Sequence, residues 1–195
     1  MIHTPWNRDG RLRGAVEIKP STELSKFIRA EPALLPFFNG KLQDRGLTIE
    51  GVSVRAGRLY AGMREPVLDD GQAAILSVSL GALFEGEAGT GHLHRLNLGK
   101  RRGVRDLVEH ENSFLVLAGP TDDPENGEVN EGDYSVVWWD GNGQLKRLCD
   151  LESYGRKVKP EALLPLGRSG DKLRVLMFFD GPDAGAPRLV EVDHP

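Results

Sequence analysis

Residues 46–66 read GLTIEGVSVRAGRLYAGMREP. TIEGVSV is a short, strand-like apolar run, and RLYAG forms a second such run after a polar turn. Glu50 lies inside the first run, where a buried strand would carry an apolar residue. The stretch therefore predicts two successive strands, with a carboxylate near the start of the first.

The same arrangement recurs twice further along the chain. GVRDLVEH carries Asp106, 56 residues after Glu50, and VKPEALLPL carries Glu161, 55 residues after Asp106. A second strand follows each acidic run and is predicted to end at a glycine with a proline beyond it. These pairs are Gly62 and Pro66, Gly119 and Pro120, and Gly181 and Pro182. A third strand follows in every unit and a fourth in the first two, which is the pattern of β-propeller blades.

We therefore predict an all-β, β-propeller-like fold of three four-stranded blades, with a short N-terminal strand and helix. The predicted units are an extension over 1–45 and blades over 46–100, 101–155 and 156–195. In the extension, RLRGAVEIK (11–19) predicts a strand, and TELSKFIRA predicts a helix with Ser21 as its N-cap and Pro32 as its stop. The alternative is an unrelated all-β sandwich in which the similarity of the units is accidental.

The third unit stops after its third strand, so the chain is one strand short of three complete blades. Closed propellers have typically 4–8 blades, and an open arc of three would leave sheet faces and edges exposed. We therefore predict a homodimer that forms a six-bladed ring, in which each N-terminal strand completes the last blade of the other chain. The alternative is that these 195 residues belong to a longer protein.

Composition narrows the classes of function. The net charge of −4 argues against nucleic-acid binding by bulk charge. Cys149 is the only cysteine, so no internal disulfide can form. No apolar run approaches the roughly 20 residues of a membrane-spanning helix. We expect a cytoplasmic protein with no nucleic-acid or membrane partner.

The three acids are the candidate catalytic and metal-binding residues. The first strands of propeller blades line the central channel, so Glu50, Asp106 and Glu161 are expected to converge there. Three carboxylates could ligate Ca²⁺ or Mg²⁺, which prefer oxygen ligands, or could serve as general acid and base. The structural alternative is that they accept hydrogen bonds from backbone N–H groups or pair with arginines.

Arginines near these acids are candidates for binding a small anionic substrate. Arg64 follows the second strand of the first unit, and Arg102 and Arg105 precede Asp106. The guanidinium fork matches carboxylate and phosphate groups in a bidentate way. The alternative for the basic run around Arg102 is a solvated loop between blades.

IEGVSVRAGRLYAGMREPV, HRLNLGKRRGVRDLV, FLVLAGPTDDP and KPEALLPL resemble a bacterial family classed as domain of unknown function 3616. The resemblance spans roughly residues 46–180, matches the C-terminal part of that family, and implies a propeller. Ala162 stands where the family usually has glycine. The pattern is more distantly similar to esterase-like phytases, which carry acids at blade starts.

Two functions remain open at this point. One is a metal-assisted hydrolase of a phosphorylated or ester substrate, with Glu50, Asp106 and Glu161 at the chemistry. The other is a non-catalytic binding or scaffold module that uses the propeller face. Fold alone does not decide between them.

Overall fold

The computed structural model describes residues 18–41, 44–123, 127–182 and 185–193. Within these ranges the chain is an all-β protein of three antiparallel sheets with short helical pieces. The helical pieces are α1 (Leu24–Ala30), a 3-10 helix (Leu35–Phe37) and α2 (Leu80–Phe84). None of the helices in the described ranges is long and apolar enough to cross a membrane.

Each sheet is an antiparallel meander of consecutive strands. The first contains β1 (Thr48–Arg55), β2 (Arg58–Val67), β3 (Ala73–Ser79) and β4 (His92–Leu96). The second contains β5 (Arg102–His110), β6 (Ser113–Pro120), β7 (Ser135–Trp139) and β8 (Leu145–Asp150). The third contains β9 (Lys159–Ser169), β10 (Lys172–Asp180) and β11 (Arg188–Asp193).

The repeat therefore gave the right number of sheets and the right order of strands. In the described residues the third sheet has three strands, as its sequence unit suggests. The predicted strand RLRGAVEIK lies almost wholly outside the described residues, which begin at Ile18. One predicted strand end is wrong: β2 runs past Gly62 to Val67.

Gly62 is required by packing rather than by a turn. A Cβ at this position would lie 2.5 Å from Cγ1 of Val104 on the second sheet. Tyr60 and Ile75 from the first sheet share a buried cluster with Val104, Phe114 and Trp139 from the second. The first two sheets are therefore packed face to face.

A second buried cluster joins the second sheet to the third. Leu117 and Val136 pack there with Leu173, Val175 and Met177 of β10. Alternate residues along a strand point to opposite faces. Arg174 and Leu176, which alternate with these three residues of β10, therefore lie on the outer face of the third sheet. The sheets thus form a stack in which the second sheet lies in the middle.

The N-terminal segment packs on part of the outer face of the first sheet. Ile28 of α1 and Leu34 are buried in a cluster with Met63 and Leu76 of the first sheet. The predicted helix is confirmed, but Ser21 is not its N-cap, because α1 begins at Leu24. The Ser21 hydroxyl instead accepts a hydrogen bond from the Glu23 N–H and donates one to the Leu83 carbonyl.

The outer face of the third sheet has no such cover among the described residues. Leu176 is paired in register with Leu164 on one side and with Leu189 on the other. Directly opposed residues share a face of the sheet, so these three leucines form one apolar row. Leu164 is 46% exposed and Leu189 is 47% exposed.

Candidate functional site

The candidate site begins with one irregularity that recurs in the first strand of every sheet. Glu50 in β1, Arg105 in β5 and Glu161 in β9 are each left out of the pairing register with the next strand. Such β-bulges bend a strand and re-aim a side chain, and they are over-represented near active sites. By this criterion the residue equivalent to Glu50 and Glu161 is Arg105 rather than Asp106.

The re-aimed side chains meet where the three sheets adjoin. Arg105 Nη2 donates to Glu161 Oε1 at 2.6 Å, and Arg105 Nε lies 3.0 Å from Glu50 Oε2. The contact between Arg105 Nε and Glu50 Oε2 is an ion pair but not a hydrogen bond, because the two groups are not aligned for one. Arg64 Nη1 donates to Glu50 Oε1 at 3.1 Å, so Glu50 lies between two arginines.

Two further charges complete the group at its solvent side. Asp123 accepts hydrogen bonds from Arg64 Nη2 and Lys159 Nζ, both at 2.9 Å. We call the whole set the central ion cluster. Its members are Glu50, Arg64, Arg105, Asp123, Lys159 and Glu161. Three formal positive charges thus face three formal negative charges.

Burial governs the electrostatics of the cluster. The Arg105 side chain is only 2% exposed, whereas that of Glu161 is 32% exposed. Burial raises the pKa of Glu161, and the charge of Arg105 opposes this rise. Burial lowers the pKa of Arg64, but Glu50 and Asp123 outweigh that effect, so the pKa is raised overall. Both arginines are therefore paired with acids of the protein itself.

Backbone carbonyls occupy the remaining guanidinium donors. Arg64 Nε donates to the Thr121 carbonyl at 2.8 Å, and Arg105 Nη1 approaches the Pro120 carbonyl at 3.4 Å. Both carbonyls belong to the end of β6 and the residues after it. The two arginines therefore anchor this segment to the first strands of the sheets.

Asp106 is bound by backbone N–H groups, unlike Glu50 and Glu161, which pair with arginines. Its Oδ1 accepts the Leu107 N–H at 2.8 Å, and its Oδ2 accepts the Leu163 N–H at 2.7 Å. Burial raises the pKa of Asp106, and these two backbone bonds oppose the rise. Because Leu163 lies in β9, the carboxylate ties the second sheet to the third. The structure therefore does not bring Asp106 into the central ion cluster.

Arg102 also lies apart from the acids with which the sequence grouped it. Its Nη1 donates to Ser135 Oγ at 3.1 Å, and its Nη2 donates to the Gly132 carbonyl. Both partners belong to β7 and the loop before it. Arg102 is thus tied within the second sheet rather than to an anion at the centre.

Sequence reasoning missed Asp123 and Lys159. Lys159 precedes Glu161 by two residues on one strand, so the period of two would have placed both on the same face. Asp123 directly follows the strand that ends at Pro120, but a loop residue has no periodicity that predicts where its side chain points. The described ranges contain no group of three or more His, Cys, Asp or Glu side chains placed to hold a metal ion.

Comparison with known proteins gives a family but no activity. The family described as "Protein of unknown function (DUF3616)" matches residues 6–194, a longer stretch than the residues that carry the resemblance in the sequence. No curated protein and no solved structure matches the chain. The similarity to esterase-like phytases therefore stays a prediction.

Proposed function

Since the chain belongs to the DUF3616 family, whose description assigns no function, we propose that it is a non-catalytic binding or scaffold module. Its sheets act as propeller-type blades, and its central ion cluster holds them together. The observation that carries this proposal is that the candidate catalytic acids already pair with arginine or backbone N–H groups of the protein itself. Glu50 and Glu161 share Arg105, and both oxygens of Asp106 accept backbone N–H groups.

A hydrolase of the predicted kind needs a carboxylate that can bind a cation or exchange a proton with a substrate. It also needs a cationic group whose donors are open to the anion. In this chain Arg64 and Arg105 already donate to acids and carbonyls of the protein. An incoming anion would have to displace Glu50 or Glu161 and leave a carboxylate without its partner, which is costly in a buried site.

The propeller-type arrangement of the sheets is supported by the first strands. β1 contacts β5, and β5 contacts β9, so the first strands of the sheets adjoin one another. Equivalent bulges then direct Glu50, Arg105 and Glu161 to one place. Repeated sheets whose first strands meet at a centre are the architecture of a propeller.

The second candidate function is the metal-assisted hydrolase, with Ca²⁺ or Mg²⁺ as its cation. One observation favours it: Glu161 is partly open to solvent, and burial raises the pKa of its carboxyl group. A carboxyl group with a raised pKa is suited to general acid catalysis. The two candidates therefore differ most sharply at Glu161.

The test is a panel of phosphate monoesters, phosphodiesters and carboxylic esters, assayed with and without Ca²⁺, Mg²⁺ and Mn²⁺. The wild type is compared with Glu50→Gln and Glu161→Gln, and with Glu85→Gln as an exposed control outside the cluster. We expect no hydrolysis that depends on either cluster acid. Turnover by the wild type and Glu85→Gln that is lost in Glu161→Gln, with an unchanged circular dichroism spectrum, would establish the hydrolase instead.

A further inference from the structure

A groove runs between the outermost strand of the second sheet and β11 of the third sheet. It has a volume of about 560 Å³. Its lining includes Cys149, Asp150, Glu152, Tyr154, Arg188 and Glu191. The groove therefore lies between the ends of two neighbouring sheets, away from the central ion cluster.

The position of the groove corresponds to that of a fourth strand in the third sheet. In the first two sheets the third strand is paired on its far side with β4 or β8. In the third sheet β11 takes the place of the third strand, and within the described ranges its far edge is unpaired. An unpaired edge presents backbone N–H and C=O groups that an extended peptide can join as an added strand.

We propose that residues 11–19 of a second copy of this chain add to β11 as its fourth strand and fill this groove. The segment reads RLRGAVEIK and has the alternation of a strand with one apolar face. Leu12, Val16 and Ile18 lie on that face and would point toward β8. The fourth strand of a blade packs in this way on the sheet beside it.

The charges of the segment and the groove are complementary. The segment carries Arg11, Arg13, Glu17 and Lys19, a net charge of +2. The groove carries Asp150, Glu152, Glu191 and Arg188, a net charge of −2. The guanidinium carbon of Arg188 lies over the ring of Tyr154, 5.0 Å from its centroid. Opposite charges at a strand edge favour pairing and its register.

Ile18 of the same chain cannot reach β11. Ser21 is bonded to the Leu83 carbonyl in α2, which packs on the outer face of the first sheet. Stacked sheets lie about 10 Å apart, so the third sheet is about 20 Å from the first. The three residues from Ile18 to Ser21 span about 10 Å when fully extended. The occupant must therefore come from another copy, and reciprocal exchange gives a closed two-fold dimer.

This inference adds a partner to the proposed binding or scaffold role, but its test does not depend on that role. Cys149 is the only cysteine and lines the groove, so it serves as a built-in reporter. Cys149→Ser copies that carry one new cysteine at a position from 12 to 18 are mixed with wild-type chains and oxidised. We expect disulfide-linked pairs at alternate positions, led by Val16→Cys, because one face of the added strand points to β8. Asp69→Cys, in the exposed turn before β3, is the control.

A second measurement uses the full chain without substitutions. Light scattering after size exclusion is expected to give a dimer at tens of micromolar. An excess of a peptide with the sequence of residues 10–20 is expected to convert it to a monomer, whereas a scrambled peptide has no effect.

A monomer without cross-links overturns the proposal. So does a dimer that the peptide does not affect, or cross-linking at every position from 12 to 18 alike. None of these results bears on hydrolysis, so failure of the strand exchange and failure of the non-catalytic role remain distinguishable.

Discussion

The first and third sheets are the two ends of one stack, and their outer faces differ in how far other residues cover them. On the first sheet, Ile28 and Leu34 of the N-terminal segment bury the outer face together with Met63. On the third sheet, the corresponding face leaves Leu164 and Leu189 almost half exposed. Repeats that stack need a cap at each end, because a terminal unit has an apolar face without a neighbour.

The third sheet is the end of the stack at which a row of leucines is exposed. A row of exposed leucines beside an unpaired strand edge is typical of an interaction surface. On the first sheet the segment from Leu24 to Phe38 packs over β2 and β3, and the exposed apolar residues of this face are Val52 and Val54 of β1. Closing a six-bladed ring from two chains would set the third sheet of one chain against this partly covered face. The ring stays a prediction, while the groove beside β11 offers a contact that leaves the cover in place.

The largest expected effect tests the cover directly. Leu34→Ala removes a side chain with 0% exposure from the cluster on the first sheet, so it should cost about 3 to 4 kcal/mol of unfolding free energy. Leu189→Ala makes the same chemical change on the open face and should cost less than about 1 kcal/mol. Urea denaturation followed by tryptophan fluorescence measures both. Equal losses would mean that the two end faces do not differ.

The next largest loss of stability is expected at Arg105, which joins the middle sheet to both end sheets. Arg105→Met leaves Glu50 and Glu161 without their shared cation, and the expected loss is about 3 kcal/mol, at the low end for a buried pair because both acids are partly exposed. Arg168→Met removes an exposed arginine that pairs with Glu111 on the surface, and we expect no measurable change. Thermal unfolding compares the two variants. A neutral Arg105→Met would show that the cluster contributes nothing to holding the sheets.

A smaller loss is expected at the junction of the second and third sheets alone. Asp106→Ala leaves the N–H groups of Leu107 and Leu163 without their acceptor, which should cost about 2 kcal/mol. Hydrogen exchange should accelerate in β9 more than in β1, since only β9 is tied by this carboxylate. Asp171→Ala, in the exposed turn between β9 and β10, is the control. Uniform acceleration over all three sheets would contradict a local tie.

A further effect is a pH dependence that originates at His94 in β4 of the first sheet. Burial, aided by the neighbouring His92, lowers the pKa of His94 to about 4. The folded state therefore favours the neutral ring, and its contribution to stability is present above pH 6.5 and lost as the pH falls toward 4. His94→Gln retains a polar atom near Ser77, which bonds to His94 Nε2 at 3.0 Å. Stability profiles from pH 7 to 4 should be flatter for this variant than for the wild type.

Much of the fold could be predicted from local sequence. The spacing of strand-like runs predicts three antiparallel sheets, and the helical spacing of Leu24, Phe27 and Ile28 predicts the apolar face of α1. The sequence did not reveal α2, whose five residues follow β3 without a break in apolar character. Its start depends on the Ser79 hydroxyl, which accepts the Ala82 N–H at 3.2 Å.

The candidate site was less predictable than the fold. The repeat spacing predicts Glu50 and Glu161 at the centre, and it predicts Asp106 as their equivalent because Asp106 is the acid nearest to that spacing. The bulge in β5 falls one residue earlier and directs Arg105 to the centre instead. Repeat spacing in a sequence is uncertain by one residue, and in a strand one residue reverses the face to which a side chain points.

Local sequence predicts the three sheets, a charged residue near the start of each and the apolar alternation that makes the sheets stack. Which charges pair with one another depends on the tertiary structure. Glu50 and Arg105 lie 55 residues apart in the sequence and on different sheets, yet their charged groups lie 3.0 Å apart. The physical reason is that pattern and propensity act along one strand, whereas an ion pair between sheets depends on bulges and on how the stacked faces fit.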